Sequence, residues 1–199
     1  MTSSDTWLVV GLGNPGREYA GNRHNVGAMA VEVLAARAGT TLRRHKARAD
    51  AAELRLGTLP GGAPGPKVVV AVPASYMNES GGPVKALMTF YKITPDRLVV
   101  LHDELDIDFA VTRVKRGGGE GGHNGLRSIS QAVGTKDYLR VRLGIGRPPG
   151  RQDPADFVLR DFAARERPDV DVMLEDTADI VDDLVTRGVT FAQDRWNGR

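Results

Sequence analysis

The sequence predicts an α/β protein: a single domain built on a central twisted, mixed and mostly parallel sheet, with helices on both faces. Three observations carry that expectation. Apolar runs bounded by glycine or proline alternate with stretches whose apolar residues recur at helical spacing. Several of the runs are apolar at successive positions, as strands covered on both faces are. The 199 residues, 41% hydrophobic, fill one core and are short for two, so residues 1–199 are expected to form one domain.

Residues 7–12 are an apolar run containing Gly11 and read as a buried strand. Asn22 is placed to cap a helix whose apolar positions Val26, Ala30, Val33, Leu34 and Ala38 share a face before Gly39 ends it. Residues 47–56 alternate as a strand does, and residues 67–72 form a second apolar strand. Between them, the proline- and glycine-rich segment 60–66 is a turn. A helix is expected over 82–91, a strand over 97–102, another over 110–116, a helix over 125–133 and a strand over 138–145. Finally, residues 165–187 carry Val170, Leu174, Ala178, Val181, Leu184 and Val185 on one helical face, with acidic residues outside.

Composition narrows the chemistry. The absence of cysteine excludes disulfides, thiol nucleophiles and Cys-ligated zinc or iron–sulfur sites, leaving histidines, carboxylates and hydroxyls. The histidines are His24, His45, His102 and His123. No run of eighteen apolar residues exists, and the first six residues lack the basic start and apolar stretch of a signal peptide. A soluble, cytoplasmic protein with no membrane association is expected. Net charge is only +2, yet residues 113–151 hold nine Lys/Arg against Glu120 and Asp137, while residues 152–199 hold six arginines against twelve carboxylates. Segregated positive charge suits a phosphate backbone, so segment 113–151 is the expected RNA surface; a dispersed, solvated surface is the alternative.

Three asparagines lie in short glycine-containing loops: Asn14 in Gly11-Leu12-Gly13-Asn14-Pro15-Gly16, Asn78 in Met77-Asn78-Glu79-Ser80-Gly81, and Asn124 in Gly121-Gly122-His123-Asn124-Gly125. A carboxamide donates and accepts without charge, so three converging on one cleft would suit a ligand bearing amides, such as a peptide main chain. In an open α/β sheet the carboxyl ends of strands form the ligand-binding rim, where Asn14, Asn78 and Asp103 would meet.

The first loop also matches the dinucleotide pattern G-x-G-x-x-G, which makes an oxidoreductase a competing reading. Its context is wrong: residues 15–19 read as turn where that motif needs a helix start, and Glu32 falls inside a helical pattern instead of at a strand end. The internal His102-Asp103-Glu104-Leu105 is not a C-terminal address, and its alternating carboxylates make a poor oxygen-ligand metal site. Asp103 is better used beside a histidine, accepting an imidazole N–H and fixing the tautomer. Gly-x-Ser-x-Gly is absent, and Ser80 and Ser128 read as helix-start residues. Histidine-activated water is therefore the economical hydrolytic chemistry. His24, at the first helix start, is one candidate base, with a capping or surface role as its alternative; His123, beside four glycines, is the rival base or a residue that shapes its loop. The glycine loop 117–122, flanked by Lys115, Arg116, Arg127 and Arg142, reads as a turn or as a phosphate cradle.

Together these motifs, with Tyr19 and Arg23-His24-Asn25-Val26-Gly27, resemble the single-domain bacterial type of peptidyl-tRNA hydrolase, from Trp7 into the last helix. The resemblance implies hydrolysis of the ester between a peptide C-terminus and the tRNA 3′ ribose, recycling tRNA from peptides dropped by ribosomes. It implies His24 as the base acting on water, Asp103 holding its imidazole, and Asn14 separating N-blocked from free aminoacyl ends. It implies Asn78 and Asn124 on the peptide main chain and tRNA end, with Asn124 also orienting the water. Tyr19 and Tyr76 match positions that line the tRNA-end site, and Lys115 and Arg142 match positions near the tRNA 5′ phosphate. No metal or cofactor is implied, and a monomer is expected. Asp108-Phe109-Ala110 departs from the family pattern by lacking a glycine that often follows the carboxylate stretch. The competing class is a non-catalytic RNA-binding or splicing partner of the same fold, which some organellar relatives represent.

Overall fold

The computed structural model describes residues 5–199. Residues 1–4, part of the segment expected to lack a signal peptide, lie outside them. The seven strands are β1 (Trp7–Gly11), β2 (Arg43–His45), β3 (Ala49–Arg55), β4 (Lys67–Pro73), β5 (Leu98–Glu104), β6 (Thr112–Arg116) and β7 (Leu139–Gly144). They form one sheet in the order β2-β3-β4-β1-β5-β7-β6. β4, β1, β5 and β7 run parallel, in a register that sets Val9 against Val70 and Val99, and Val100 against Arg140. The outer strands β2, β3 and β6 are antiparallel.

The parallel strands are apolar on successive residues because both of their faces are covered. Val9, Val68, Val70, Val99 and Leu101 join one core with α1 (Val26–Arg37), α5 (Arg167–Arg187) and α6 (Val189–Trp196). Leu8, Val10, Val69, Ala71, Leu98 and Val100 join the opposite core with α2 (Gly81–Tyr91) and α3 (Asn124–Val133). Side chains of one strand alternate between the two cores, as the pleat requires. Burying each Val or Leu of this kind contributes about 1.5–3 kcal/mol.

Four local expectations are corrected. Asn22 does not cap α1: a single 3-10 turn over Arg23–Asn25 comes first, and the Asn22 carboxamide donates to Asp161 Oδ1 at 2.7 Å. Ser80 does not cap α2 with its side chain; its hydroxyl donates to the Met77 carbonyl at 2.7 Å. Ser128 lies inside α3, where its Oγ accepts the Gly81 N–H at 2.9 Å and so satisfies the first turn of α2 from a neighbouring helix. Three short elements were not expected at all: β2, α4 (Pro154–Val158) and α6. The last long helix begins at Arg167 after a 3-10 turn at Ala164–Glu166. No helix follows the first glycine loop directly; α1 starts only at Val26, so that loop lacks the helix terminus a dinucleotide would need.

Candidate active site

Two glycines bring the site together. A Cβ on Gly27 would run into the Leu101 carbonyl oxygen, and one on Gly11 would run into that of Gly27. The first turn of α1 therefore lies directly against the ends of β1 and β5, and the preceding 3-10 turn delivers His24 to Asp103, the sixth residue of β5. His24 Nδ1 is 2.8 Å from Asp103 Oδ2. The other carboxylate oxygen, Oδ1, is 2.8 Å from His123 Nε2.

The hydrogen bonds assign both tautomers. His123 Nδ1 accepts the N–H groups of Gly125 and Leu126 at 3.1 and 3.4 Å, capping α3, so its proton lies on Nε2 and is donated to Asp103. His24 donates from Nδ1 to the same carboxylate, which leaves Nε2 as a proton acceptor on the cleft side. Asp103 is only 4% exposed. Burial by itself would raise its pKa, but the attraction and hydrogen bonds of His123 and His24 outweigh it and hold the carboxyl below the usual carboxylate range. Next to it, His102 is fully buried, and burial, reinforced by His123, pushes its pKa down to about 3. Its Nδ1–H donates to the Asp103 carbonyl at 2.7 Å, so it is a neutral prop behind the site.

Asn14 is held on three sides. Its backbone N–H donates to Asn25 Oδ1 at 2.9 Å, its carbonyl accepts from Asn25 Nδ2 at 2.9 Å, and its Oδ1 accepts the Met77 N–H at 2.7 Å. With Oδ1 engaged, the Asn14 side chain presents its NH2 group as a donor. The same bond ties the β1 loop to the 3-10 turn Met77–Glu79 that carries Asn78.

These groups line a cleft of about 490 Å³. Asn14, His24, Asp103, Asn78 and Asn124 all face it, so the three carboxamides do converge around one histidine–carboxylate pair. Tyr76, 56% exposed, stands at its rim. Leu105, the α4 residues Pro154, Ala155 and Val158, and Leu159 just after α4 add an apolar wall. That wall is fastened to the histidine turn by Arg23, which donates to the Arg160 and Asp161 carbonyls, pairs with Glu166 at 2.8 Å and lies over the rings of Phe157 and Phe162.

Tyr19, expected at the tRNA-end site, is not part of the cleft lining; it is half-buried in the turn before Asn22. Lys115 and Arg142 lie away from the cleft, on β6 and β7, where the antiparallel register puts them on one face with Arg113 and Arg140. Arg142 is half-buried, and that burial, with Arg113 and Arg140 opposing Glu104, lowers its pKa. The basic segment is less free than its count suggests. Arg116, Lys136 and Arg147 pair with Asp137, Glu120 and Asp106. Arg140, 2% exposed, donates to the carbonyls of Gly118, Gly119 and Lys136 and fixes the glycine loop. Arg113, Lys115, Arg127, Arg142 and Arg151 form no ion pair with the described residues.

Donor atoms of His24, Asp103 and His123 lie within 4.8 Å of one another, close enough to share a cation. Both N–H···O bonds to Asp103 would have to be given up for one to enter.

Residues 8–199 match the family model described as peptidyl-tRNA hydrolase. The chain belongs to the peptidyl-tRNA hydrolase family. It is 58% identical over 194 residues to a peptidyl-tRNA hydrolase of Kineococcus radiotolerans, covering 98% of each chain. It is 60% identical over 196 residues to that of Frankia alni, covering 98% of this chain and 96% of the relative. Among solved structures, Acinetobacter baumannii peptidyl-tRNA hydrolase matches with a TM-score of 0.83 and 36% identity, over 98% of this chain and 95% of that one. A peptidyl-tRNA hydrolase complex with n-propanol matches with a TM-score of 0.84 and 37% identity, over 98% and 95%. The peptidyl-tRNA hydrolase fold thus spans the described chain, including the unexpected α4 and α6.

Asn25, Arg23 and Arg140 support this peptidyl-tRNA hydrolase site without standing out in the sequence as doing so. Arg23 and Asn25 flank His24, and adjacency was the one available signal. Arg140 had none, because a buried arginine bonded to carbonyls looks in sequence like one more surface cation.

Proposed function

We propose that the chain hydrolyses the ester between the C-terminus of a peptide and the 3′ ribose of tRNA, using water activated by His24. The observation that carries this reading is the Asp103 carboxylate held between two imidazole N–H groups at 2.8 Å each. It fixes His24 with Nε2 as the acceptor. His24 takes a proton from water as the oxygen attacks the ester carbonyl carbon. The resulting imidazolium, stabilised by Asp103, returns that proton to the departing 3′ oxygen. The water oxygen ends bonded to the acyl carbon, the bond from that carbon to the 3′ oxygen breaks, the proton taken from water ends on the 3′ oxygen, and His24 and Asp103 end unchanged.

The Asn14 NH2 group suits an acyl-amide carbonyl on an N-blocked residue. A free ammonium would meet a donor there and would also have to shed its hydration. Asn78 and Asn124 take the peptide main chain and the tRNA end, Asn124 also orienting the water. Tyr76 offers an exposed ring on which the terminal adenine stacks. Tyr19 contacts the tRNA end only from outside the cleft wall, while Lys115 and Arg142 receive the 5′ phosphate on the β6–β7 face, the free part of segment 113–151. The protein acts in this reading as a cytoplasmic monomer recycling tRNA from peptides released by ribosomes; no described helix is long and apolar enough to cross a membrane.

Cleavage of N-acetyl-aminoacyl-tRNA beside the unblocked aminoacyl-tRNA tests it. Release of the acetylated residue with the unblocked substrate spared is expected. Equal cleavage of the two, or of neither, contradicts the reading.

A further inference from the structure

A second basic surface lies at the opposite edge of the sheet from β6. Residues 43–48 read Arg-Arg-His-Lys-Ala-Arg, four cations in six residues, and cover the edge strand β2 and its turn into β3. Arg44 is paired with Asp50 at 3.2 Å, but among the described residues no carboxylate pairs with Arg43, Lys46 or Arg48.

The register sets His45 against Ala49 and Arg43 against Ala51, both of which belong to the core beneath α2, so Arg43 and His45 point to the α2 side. There they meet the end of α2. The His45 ring packs edge-on against Phe90 at 4.8 Å between centroids, Phe90 packs edge-on against Tyr91 at 4.7 Å, and Lys46 Nζ lies 4.6 Å from the Phe90 centroid. Phe90 is nevertheless 48% exposed. Tyr91 is anchored from below: burial, aided by the carboxylate of Glu53, pushes its hydroxyl up to about 12, and Glu53 is itself neutralised by Lys67. The platform also reaches toward the cleft, because the Arg48 carbonyl accepts the Ala74 N–H at 2.9 Å, just before Tyr76.

Lys46 already lies over the Phe90 ring in a cation–π contact, and the ring is still 48% exposed beside Arg43 and Arg48, which no described carboxylate neutralises. Aromatic rings flanked by cations are what an unpaired nucleic-acid strand requires: the ring takes a base face, and the cations take phosphates. An acidic peptide would use the charges but not the ring. An acceptor stem lying on β6–β7 would be about 29 Å away, six strand spacings across the sheet, so this surface takes a different stretch of RNA.

We propose that β2 and the end of α2 form an accessory binding surface for single-stranded RNA, with a base stacked on Phe90 and phosphates on Arg43, Lys46 and Arg48.

The full chain is titrated with an RNA 12-mer lacking a CCA end, over a series of salt concentrations. Arg43→Gln/Lys46→Gln is expected to lower the salt slope by about 1.4, since each single-strand phosphate contact contributes about 0.7. Phe90→Leu, which keeps apolar bulk without a stacking face, is expected to weaken binding about fivefold or more. Both variants should cleave a short N-acetyl-aminoacyl oligonucleotide ending in CCA at the wild-type rate, which shows the cleft intact. Unchanged RNA binding in either variant overturns the proposal. So does wild-type affinity for a poly-glutamate peptide equal to that for the RNA, which would make the surface a general polyanion site. Loss of ester cleavage in the wild type would tell against the hydrolytic reading alone, because RNA binding is read separately.

Discussion

The proposed role of His24 as the base rests on its far nitrogen being occupied. The 2.8 Å bond from Nδ1 to Asp103 selects the tautomer, and the bond from His123 to the second oxygen keeps the carboxylate from turning away. His123 is locked in its turn by the Gly125 and Leu126 amides at the start of α3, so a helix terminus ultimately sets the proton position on His24. Asp103→Asn retains shape but replaces an acceptor with an amide. One of its two atoms must then face an N–H group with a donor, so His24 loses the bond that fixes its tautomer or His123 turns. Turnover is expected to fall by about 10²-fold or more with tRNA affinity nearly unchanged. A single-turnover assay beside a tRNA-binding titration checks this, and wild-type turnover would show that the carboxylate is dispensable. At this scale much of the site was legible. Asn14, His24, Asp103, Asn78 and Asn124 stood out because glycines and strand ends surrounded them, and the cleft contains all five. Asn25 and Arg23 were not legible as supports, because their partners Asn14, Asp161 and Glu166 become neighbours only through the fold.

At the level of elements, the long apolar strands and α1, α2, α3 and α5 were readable because each carries several turns or pleats of consistent pattern. β2 has three residues, none of them apolar, and α4 has five, too few for any period to show. Both matter to the molecule: α4 walls the cleft, and β2 forms the edge platform. The β6–β7 face is where the charge argument becomes testable. Arg140 is consumed inside, holding Gly118 and Gly119, while Lys115 and Arg142 stay free of ion pairs with the described residues. Lys115→Gln/Arg142→Gln should weaken tRNA binding and reduce its salt slope by about 1.8, at about 0.9 per duplex phosphate. An unchanged slope in a binding titration from low to moderate salt would place the acceptor stem on another face.

For the whole molecule, the buried pair His102 and Asp103 contributes to the acid limb of stability. Unfolded, His102 takes a proton near its ordinary value of about 6.5, whereas folded it resists protonation down to about 3. The unfolded state therefore binds more protons across that window, and stability falls as pH drops from about 6.5 toward 3. Asp103, depressed in the fold, contributes in the same direction at lower pH: its contribution is present above the ordinary carboxylate range and lost below it. Thermal unfolding midpoints of the wild type should fall between pH 7 and pH 4, and His102→Leu should flatten the upper part of that fall; an identical slope in the variant would remove His102 as its cause. The sheet that carries these residues also unites the ends of β1, β4 and β5 at one rim, which is why motifs far apart in sequence form one cleft. In the proposed reaction His24 does chemistry at that rim and does not merely bind. That role is tested most directly by single-turnover cleavage of N-acetyl-aminoacyl-tRNA by His24→Ala, with the affinity for tRNA measured on the same preparation. Loss of cleavage by about 10²- to 10⁴-fold with tRNA affinity retained is the predicted result; cleavage at the wild-type rate would contradict the account.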